Sequence, residues 1–76
     1  MLDIRVGEKG EIVLSGRFDA SQAVKAETFM AALTESRNVD VGDLQYVSSA
    51  GLGVLLATQK RLMATGHALR LVNVRG

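Results

Sequence analysis

Hydrophobic residues occupy every second position on both sides of a Gly-Glu-Lys-Gly segment near the start of the chain. Alternation of this kind is typical of strands with one buried face, and the glycines between them suit a turn. We therefore predict a β-hairpin over residues 2–16, ended by Gly16. The alternating apolar positions are Leu2, Ile4, Val6, Ile12 and Leu14.

The period becomes helical after the hairpin, and we predict an α-helix over residues 20–36. Asp19 precedes this segment and Gln22 follows three residues later, a spacing that resembles a capping box with Asp19 as the N-cap. Phe29 lies beside the apolar stripe of this helix. The stripe itself consists of Ala23, Ala26, Met30 and Leu33.

Two more strands and a second helix complete the predicted elements. A third strand over residues 39–44 is interrupted by Gly42 and Asp43, and a final strand over residues 69–74 is apolar enough to be central in a sheet. A helix from about residue 49 to residue 65 lies between them, with Gly66 as its C-terminal stop. The apolar face predicted for this helix is Leu52, Leu55, Leu56, Leu62 and Met63.

The order ββαβαβ predicts an α/β fold, a mixed sheet of about four strands with helices packed on it. The last two strands each follow a helix, and such steps are parallel crossover connections. We expect one domain over residues 1–76. Two helices would leave part of the sheet uncovered just where the chain ends, so we expect further C-terminal structure or a partner to cover it.

The amino-acid composition argues against several classes of function. With 47% hydrophobic residues the 76-residue chain can form a core, and it contains no cysteine for disulfides or thiolate chemistry. The net charge of +1 comes without a basic patch, which argues against nucleic-acid binding. No signal peptide or membrane-length apolar segment is visible, so we expect a cytoplasmic protein. We expect neither a metal nor a cofactor.

The segment YVSSAGLGVLL over residues 46–56 places two serines where a strand turns into a helix. There Ser49 is expected to satisfy unpaired backbone N–H groups, and the same helix end favours an added phosphate. Plain capping by one serine, with the other in solvent, is the structural alternative. A serine nucleophile is disfavoured because no glycine precedes the serines, and His67 would lie about 27 Å away along the helix.

Two other groups of residues invite a functional interpretation. Gly51 and Gly53 match no nucleotide-binding loop, and we favour close contact with a partner over close contact with the sheet. Asp19 and Asp40 sit near strand ends and could lie on the same rim as Ser49, but capping and turn formation explain carboxylates there as well.

Residues 40–56, DVGDLQYVSSAGLGVLL, resemble the signature of the bacterial anti-sigma-factor antagonists of the STAS domain family. Residues 14–20, LSGRFDA, resemble that family's segment at the end of the second strand. Residues 66–74, GHALRLVNV, are similar to the strand after the signature helix. The resemblance covers nearly the whole chain, although family members usually continue with further helices after the fourth strand.

The resemblance implies a non-enzymatic switch in transcription regulation and signal transduction. A partner anti-sigma factor with serine-kinase activity binds the unmodified protein and phosphorylates Ser49, and a phosphatase resets it. Ser48, where many members carry aspartate, is the second candidate acceptor. We expect a monomer or weak dimer. The partner-binding residues implied are Asp19, Ser48, Gly51, Gly53, Val54, Ala57, Thr58 and Arg61, and the last five are expected on the exposed part of the signature helix.

A second hypothesis is an adaptor of the same fold. Such a protein would never be phosphorylated and would serve as a subunit of a signalling or lipid-transport assembly.

Overall fold

A computed structural model describes residues 1–74 of the chain. It has a four-stranded sheet, a short 3-10 turn at Ala20–Gln22 and two α-helices. The strands are β1 (Leu2–Val6), β2 (Ile12–Phe18), β3 (Arg37–Val47) and β4 (Leu69–Val72), and the helices are α1 (Ala23–Ala31) and α2 (Ser49–Met63). The order ββαβαβ confirms the predicted fold class. No helix within residues 1–74 is long and apolar enough to cross a membrane.

The strands lie side by side in chain order, β1-β2-β3-β4. β1 and β2 are antiparallel, whereas β2–β3 and β3–β4 are parallel and are connected through α1 and α2. β4 is therefore an edge strand, and the prediction that it would be central is wrong. Its apolar content had suggested burial on both sides, yet only Leu69 is buried while Leu71 stays 41% exposed.

The core lies between the sheet and the two helices. Ile12, Leu14 and Phe18 of β2 are fully buried at its centre. α1 contributes Ala26 and Met30, and Leu33 follows just after the helix, as the helical spacing predicted. Ala23 and Phe29 pack against this cluster from its margin.

The ends of β2 and β3 differ from those predicted. A positive φ angle at one glycine and a side-chain hydrogen bond at another let each strand continue past its glycine. β2 does not end at Gly16 but continues to Phe18, since Gly16 adopts φ +89° at an irregularity in the strand register. This conformation suits glycine and allows a bulge within a strand. β3 likewise runs without a break through Gly42, whose N–H donates to Asp40 Oδ1 at 2.9 Å.

The helix ends also differ. α1 is shorter than predicted, and the capping box is wrong: Asp19 caps the 3-10 turn by accepting from Ser21 N–H, while Gln22 Oε1 accepts from Leu2 N–H. α2 ends at Met63, and Gly66 follows with φ +82° in the left-handed conformation expected of a helix stop.

α2 turns a different face inward from the one predicted. Its buried residues are Gly51, Val54, Leu55, Thr58 and Leu62. Leu52, Leu56 and Met63 are instead 44%, 61% and 61% exposed, so only Leu55 and Leu62 of the predicted face are correct. The prediction followed the spacing of the large leucines. In the structure, the close contact of α2 with β2 is made where the helix carries a small residue, Gly51.

Candidate functional site

The two serines lie at a corner that is attached to the sheet by backbone hydrogen bonds. β3 ends at Val47, and the N–H of Ser48 donates to the carbonyl of Phe18 at 2.8 Å. The carbonyl of Ser48 then accepts from Leu52 N–H at 2.8 Å, which starts the helical bonding of α2. The corner is therefore held at the C-terminal ends of β2 and β3.

Ser48 and Ser49 have different roles at this corner. Ser48 is the N-cap of α2, with extended backbone angles, and its Oγ accepts from Gly51 N–H at 3.1 Å. Ser49 is the first helical residue, is exposed, and makes no side-chain hydrogen bond within residues 1–74. The prediction that Ser49 caps the helix is thus wrong, because the residue with extended backbone angles is Ser48.

Asp19 places a negative charge next to the corner. It directly follows Phe18, and its carboxylate accepts from the Ser21 hydroxyl at 2.6 Å and from Ser21 N–H at 3.1 Å. The bond from the Ser21 hydroxyl, aided by that from the backbone N–H, lowers the pKa of Asp19 below its usual 3.8. Asp19 is therefore an anion at neutral pH and acts as the cap of the 3-10 turn.

Asp40 is not part of this rim, contrary to expectation. It lies near the start of β3 and pairs with Val13 of β2 and Val72 of β4. Val47 lies seven positions further along β3, a path of about 23 Å at about 3.3 Å per residue. Its hydrogen bonds, first from Gly42 N–H and then from Asn73, lower its pKa.

A groove between α1 and α2 brings together the helical residues predicted to bind a partner, except Gly51, and we call it the interhelical groove. Val54 and Thr58 are only 8% and 5% exposed, so the expectation that they are exposed is wrong. Thr58 turns its hydroxyl to Val54 O at 2.8 Å, which satisfies it inside the protein. α1 contributes Ala23, Glu27 and Ala31, and α2 contributes Ala50, Gly53, Val54, Ala57, Thr58 and Arg61.

Arg61 closes one end of the interhelical groove. Its guanidinium donates to Met30 O at 2.7 Å and to Leu33 O at 2.8 Å. Met30 lies in the last turn of α1 and Leu33 two residues after its end, so the guanidinium sits at the C-terminal end of the helix, where a cation is favoured. No local motif in the sequence marks this role, because the bonded residues lie about thirty positions apart.

The two glycines of α2 have different surroundings. A Cβ atom on Gly51 would lie 2.8 Å and 2.9 Å from atoms of the Phe18 ring, so Gly51 permits close contact between α2 and β2. A Cβ atom on Gly53 would have nothing within 4 Å. The preference for partner contact therefore fails for Gly51, and internal packing gives no reason for glycine at position 53.

Three further side chains, those of Arg17, Tyr46 and His67, make defined contacts. The Arg17 guanidinium lies 4.7 Å from the centre of the Tyr46 ring, a cation–π contact near the end of β3 that sequence analysis did not anticipate. His67 accepts a hydrogen bond from Ser36 N–H through Nδ1 at 3.3 Å, beyond the far end of α2. Within residues 1–74 no cluster of three or more His, Asp or Glu side chains could hold a metal ion.

Comparison with known families decides the classification. A family model, STAS_2, described as "Mlab, STAS domain", matches residues 3–76. The chain belongs to the STAS domain family. The resemblance noted from the serine segment is thereby confirmed. No curated protein sequence matches the chain.

Solved structures share the STAS fold at low sequence identity. The structure described as the anti-sigma factor antagonist SpoIIAA in its unphosphorylated form has a TM-score of 0.74 and 18% identity, over 100% of this chain and 76% of that one. An antisigma-factor antagonist STAS domain from Rhodobacter sphaeroides has a TM-score of 0.59 and 16% identity, over 96% and 85% of the two chains. A structure described as Mglu has a TM-score of 0.70 and 14% identity over 99% of this chain, but only 19% of its own.

Proposed function

We propose that this STAS domain is an anti-sigma-factor antagonist that is switched by phosphorylation of Ser49. The proposal rests on the different positions of the two serines. Ser48 holds the helix end through its bond from Gly51 N–H, whereas Ser49 is exposed at the first helical position. A kinase could therefore modify Ser49 without removing the cap of α2.

The negative charge of a phosphate on Ser49 would control partner binding. A phosphoserine carries about −1.5 to −2 charge at pH 7. The unmodified chain has a net charge of +1, so modification would reverse its sign. A partner that covers the corner would have to desolvate this dianion, which is costly unless the partner supplies a matching cation. We expect the unmodified protein to bind its anti-sigma factor and the modified protein to be released.

The interhelical groove is the proposed docking surface. Ala50, adjacent to Ser49, lines it together with the exposed residues Gly53 and Ala57. Small side chains let a partner approach the helix backbone closely. The groove and the phosphoacceptor therefore adjoin one another, which is what a charge-controlled interface requires.

Phosphate transfer provides the first test. The protein would be incubated with ATP and each anti-sigma-type serine kinase of its source organism, and the products would be mapped by mass spectrometry. We expect one phosphate on wild type and on Ser48→Thr, which keeps a capping hydroxyl, and none on Ser49→Ala. A phosphate that persists on Ser49→Ala would assign the acceptor elsewhere.

Binding to the same kinase, without ATP, provides the second test. Ser49→Asp places a carboxylate at the acceptor, and Ser49→Asn is its uncharged control of similar size. We expect Ser49→Asp to weaken binding at least about tenfold, equivalent to about 1.4 kcal/mol, and Ser49→Asn to weaken it much less. Equal losses for the two variants would point to size rather than charge and would refute the switch.

An adaptor that is never phosphorylated is the second candidate function. One observation favours it: the matching family model is described as "Mlab, STAS domain". The resemblance to the antagonists adds that Ser48 stands at a position where many of them carry aspartate. In that case a kinase proven active on another antagonist would leave the protein unmodified. The purified partner would then bind wild type and Ser49→Asp equally.

A further inference from the structure

A groove with a polar lining lies at the opposite end of the sheet from the serines, where β3 and β4 begin. It is formed by the turn before β2, the first residues of β3, and β4, and we call it the polar groove. Its volume of about 490 Å³ is within the range of small-molecule sites. Among its described lining residues, only Ala68 and Val72 have apolar side chains apart from a glycine. Such a lining suits a polar or charged ligand.

Three cationic side chains meet at the polar groove. Lys9 comes from the turn between β1 and β2, Arg37 is the first residue of β3, and Arg70 lies in β4. They are about thirty positions apart in the sequence, so no local basic segment marks them. Like charges that folding brings side by side are destabilising, and an anion bound among them would remove that cost.

The three cations are available to a ligand. Arg37 Nη1 donates to Gly10 O at 2.9 Å, which fixes the guanidinium beside the groove, and an arginine has four further N–H donors. Lys9 and Arg70 are exposed, and their side chains make no hydrogen bond or ion pair within residues 1–74. One cation is therefore held in place by the protein, and the other two have their donors free.

The two carboxylates of the polar groove are engaged with other groups. Glu11 Oε1 accepts from Lys9 N–H at 3.1 Å and so turns back on its own turn. Asp40 Oδ1 accepts from Gly42 N–H at 2.9 Å, and Asn73 supplies a second, side-chain hydrogen bond. In the part of the chain that the structure describes, neither carboxylate forms an ion pair with the three cations. The positive charge of the groove is therefore not neutralised internally.

We propose that the polar groove binds a phosphate monoester carried by a small soluble molecule. A phosphate monoester has close to two negative charges at pH 7 and three terminal oxygens, so it can accept from all three cations. A carboxylate offers one charge and two oxygens. Arginine binds phosphate through paired N–H donors, which lysine cannot present. The groove leaves room beyond the phosphate itself, and Ser36 and Asn38 supply hydrogen-bonding groups for the rest of the molecule.

This site is independent of the proposed switch at Ser49. Asn38 at the polar groove and Val47 beside the serines are nine positions apart on β3, a path of about 30 Å at about 3.3 Å per residue. The two sites therefore lie at opposite ends of the sheet. Failure of either proposal leaves the other standing.

A titration followed by amide chemical shifts of the 76-residue chain tests the proposal. The probe is glycerol phosphate, and glycerol at the same concentration is its uncharged control. We expect glycerol phosphate to cause saturable shifts at Gly10, Asn38 and Arg70, and glycerol to cause none. Raising the salt concentration should weaken binding, because the cations are near the surface and are screened.

Substitutions then locate the site. Arg70→Gln removes a cation without a partner in the described protein, and Arg5→Gln, the same change at an exposed residue of β1 outside the groove, is its matched control. We expect Arg70→Gln to raise the dissociation constant at least about tenfold. The increase for Arg5→Gln should stay below about twofold. Arg37→Lys keeps the charge but loses the paired donors, so it should also weaken binding. Circular dichroism melting would establish that each variant is folded.

Three outcomes would overturn the proposal. One is a titration without saturable shifts up to about 10 mM, since even weak specific complexes have dissociation constants of about 1 mM. Another is an equal loss of binding for Arg70→Gln and Arg5→Gln, which would mean attraction to the overall charge and no defined site. The third is binding to vesicles that contain phosphatidic acid without binding to glycerol phosphate, which would assign the groove to a membrane surface.

Discussion

Ser48 and Ser49 are neighbours in the chain, but the backbone gives their hydroxyls different surroundings. Ser48 has φ −79° and ψ 168°, which turns its oxygen back toward Gly51 N–H. Ser49 is already helical, and its hydroxyl makes no hydrogen bond within residues 1–74. One serine therefore stabilises the helix end while the other remains available to a kinase.

This difference predicts unequal effects of alanine on stability. Ser48→Ala removes an N-cap and should lower the free energy of unfolding by about 1 kcal/mol, within the usual range of about 0.5–2. Ser49→Ala removes a hydroxyl without a partner inside the described protein and should change it by less than about 0.5 kcal/mol. Urea denaturation of both variants gives the comparison, with Ser48→Thr as the cap-retaining control. Equal losses would refute the assignment of Ser48 as the cap.

Arg61 allows a second prediction about a single side chain. Its two bonds to the carbonyls of Met30 and Leu33 join the end of α1 to α2. Since the side chain is also exposed, we expect Arg61→Ala to cost about 1–2 kcal/mol, toward the low end for bonds to charged groups. Lys60→Ala, one residue earlier on the exposed surface, serves as the control. Thermal melting that shifts equally for the two variants would contradict this role.

At the level of elements, α2 shows that the spacing of hydrophobic residues does not always predict which face of a helix is buried. The leucines predicted one inward face, yet the helix presses Gly51 against Phe18 and buries Thr58. A periodicity that counts large apolar residues gives no weight to a glycine, although the closest approach of the helix depends on it. The displaced leucines, Leu52 and Leu56, form part of the exposed surface on the β4 side.

The two glycines of α2 provide a matched pair of substitutions. Gly51→Ala would bring Cβ within 2.8 Å of the Phe18 ring and 3.0 Å of its carbonyl oxygen, so we expect a loss of about 1–3 kcal/mol. Gly53→Ala meets nothing within 4 Å and should gain up to about 1 kcal/mol from better helix propensity.

Gly53→Ala also separates stability from docking. Its new methyl group would project into the interhelical groove, so the variant should unfold at higher urea concentration yet bind the anti-sigma factor less tightly. Both properties can be measured on one preparation, by urea denaturation and by titration calorimetry. Unchanged binding would remove Gly53 from the docking surface without affecting the assignment of Ser49.

At the scale of the whole molecule, the sequence predicted the topology better than the position of its parts. Alternation at the hairpin and helical spacing around Met30 are local signals, and they led to the correct order of elements. The edge position of β4 and the contact of Arg61 with Leu33 depend on how distant segments meet. Short-range patterns carry no information on either, and the same limit applied to Asp40, whose distance from the serines follows from the full length of β3.

Acid stability is the last property that belongs to the whole fold. Asp19 and Asp40 both have lowered pKa values in the folded protein, through bonds from the Ser21 hydroxyl and from Gly42 N–H respectively. The unfolded chain therefore binds more protons than the folded one as the pH falls past the ordinary aspartate value of 3.8. The stabilisation from these carboxylates is complete above that value and is lost as the pH drops through their lowered folded values.

We therefore expect the free energy of unfolding to decrease as the pH is lowered below about 4, and expect Asp19→Asn or Asp40→Asn to make that decrease shallower. Ser21→Ala should flatten it as well, because it removes the main cause of the low pKa of Asp19. Thr28→Ala is the control, since that hydroxyl donates to Val24 O and to no carboxylate. Urea titrations at several pH values measure the slopes. If Ser21→Ala and Thr28→Ala kept the same pH dependence as wild type, the bond at Asp19 would contribute nothing to acid stability, because only one of the two hydroxyls contacts a group that titrates in this range.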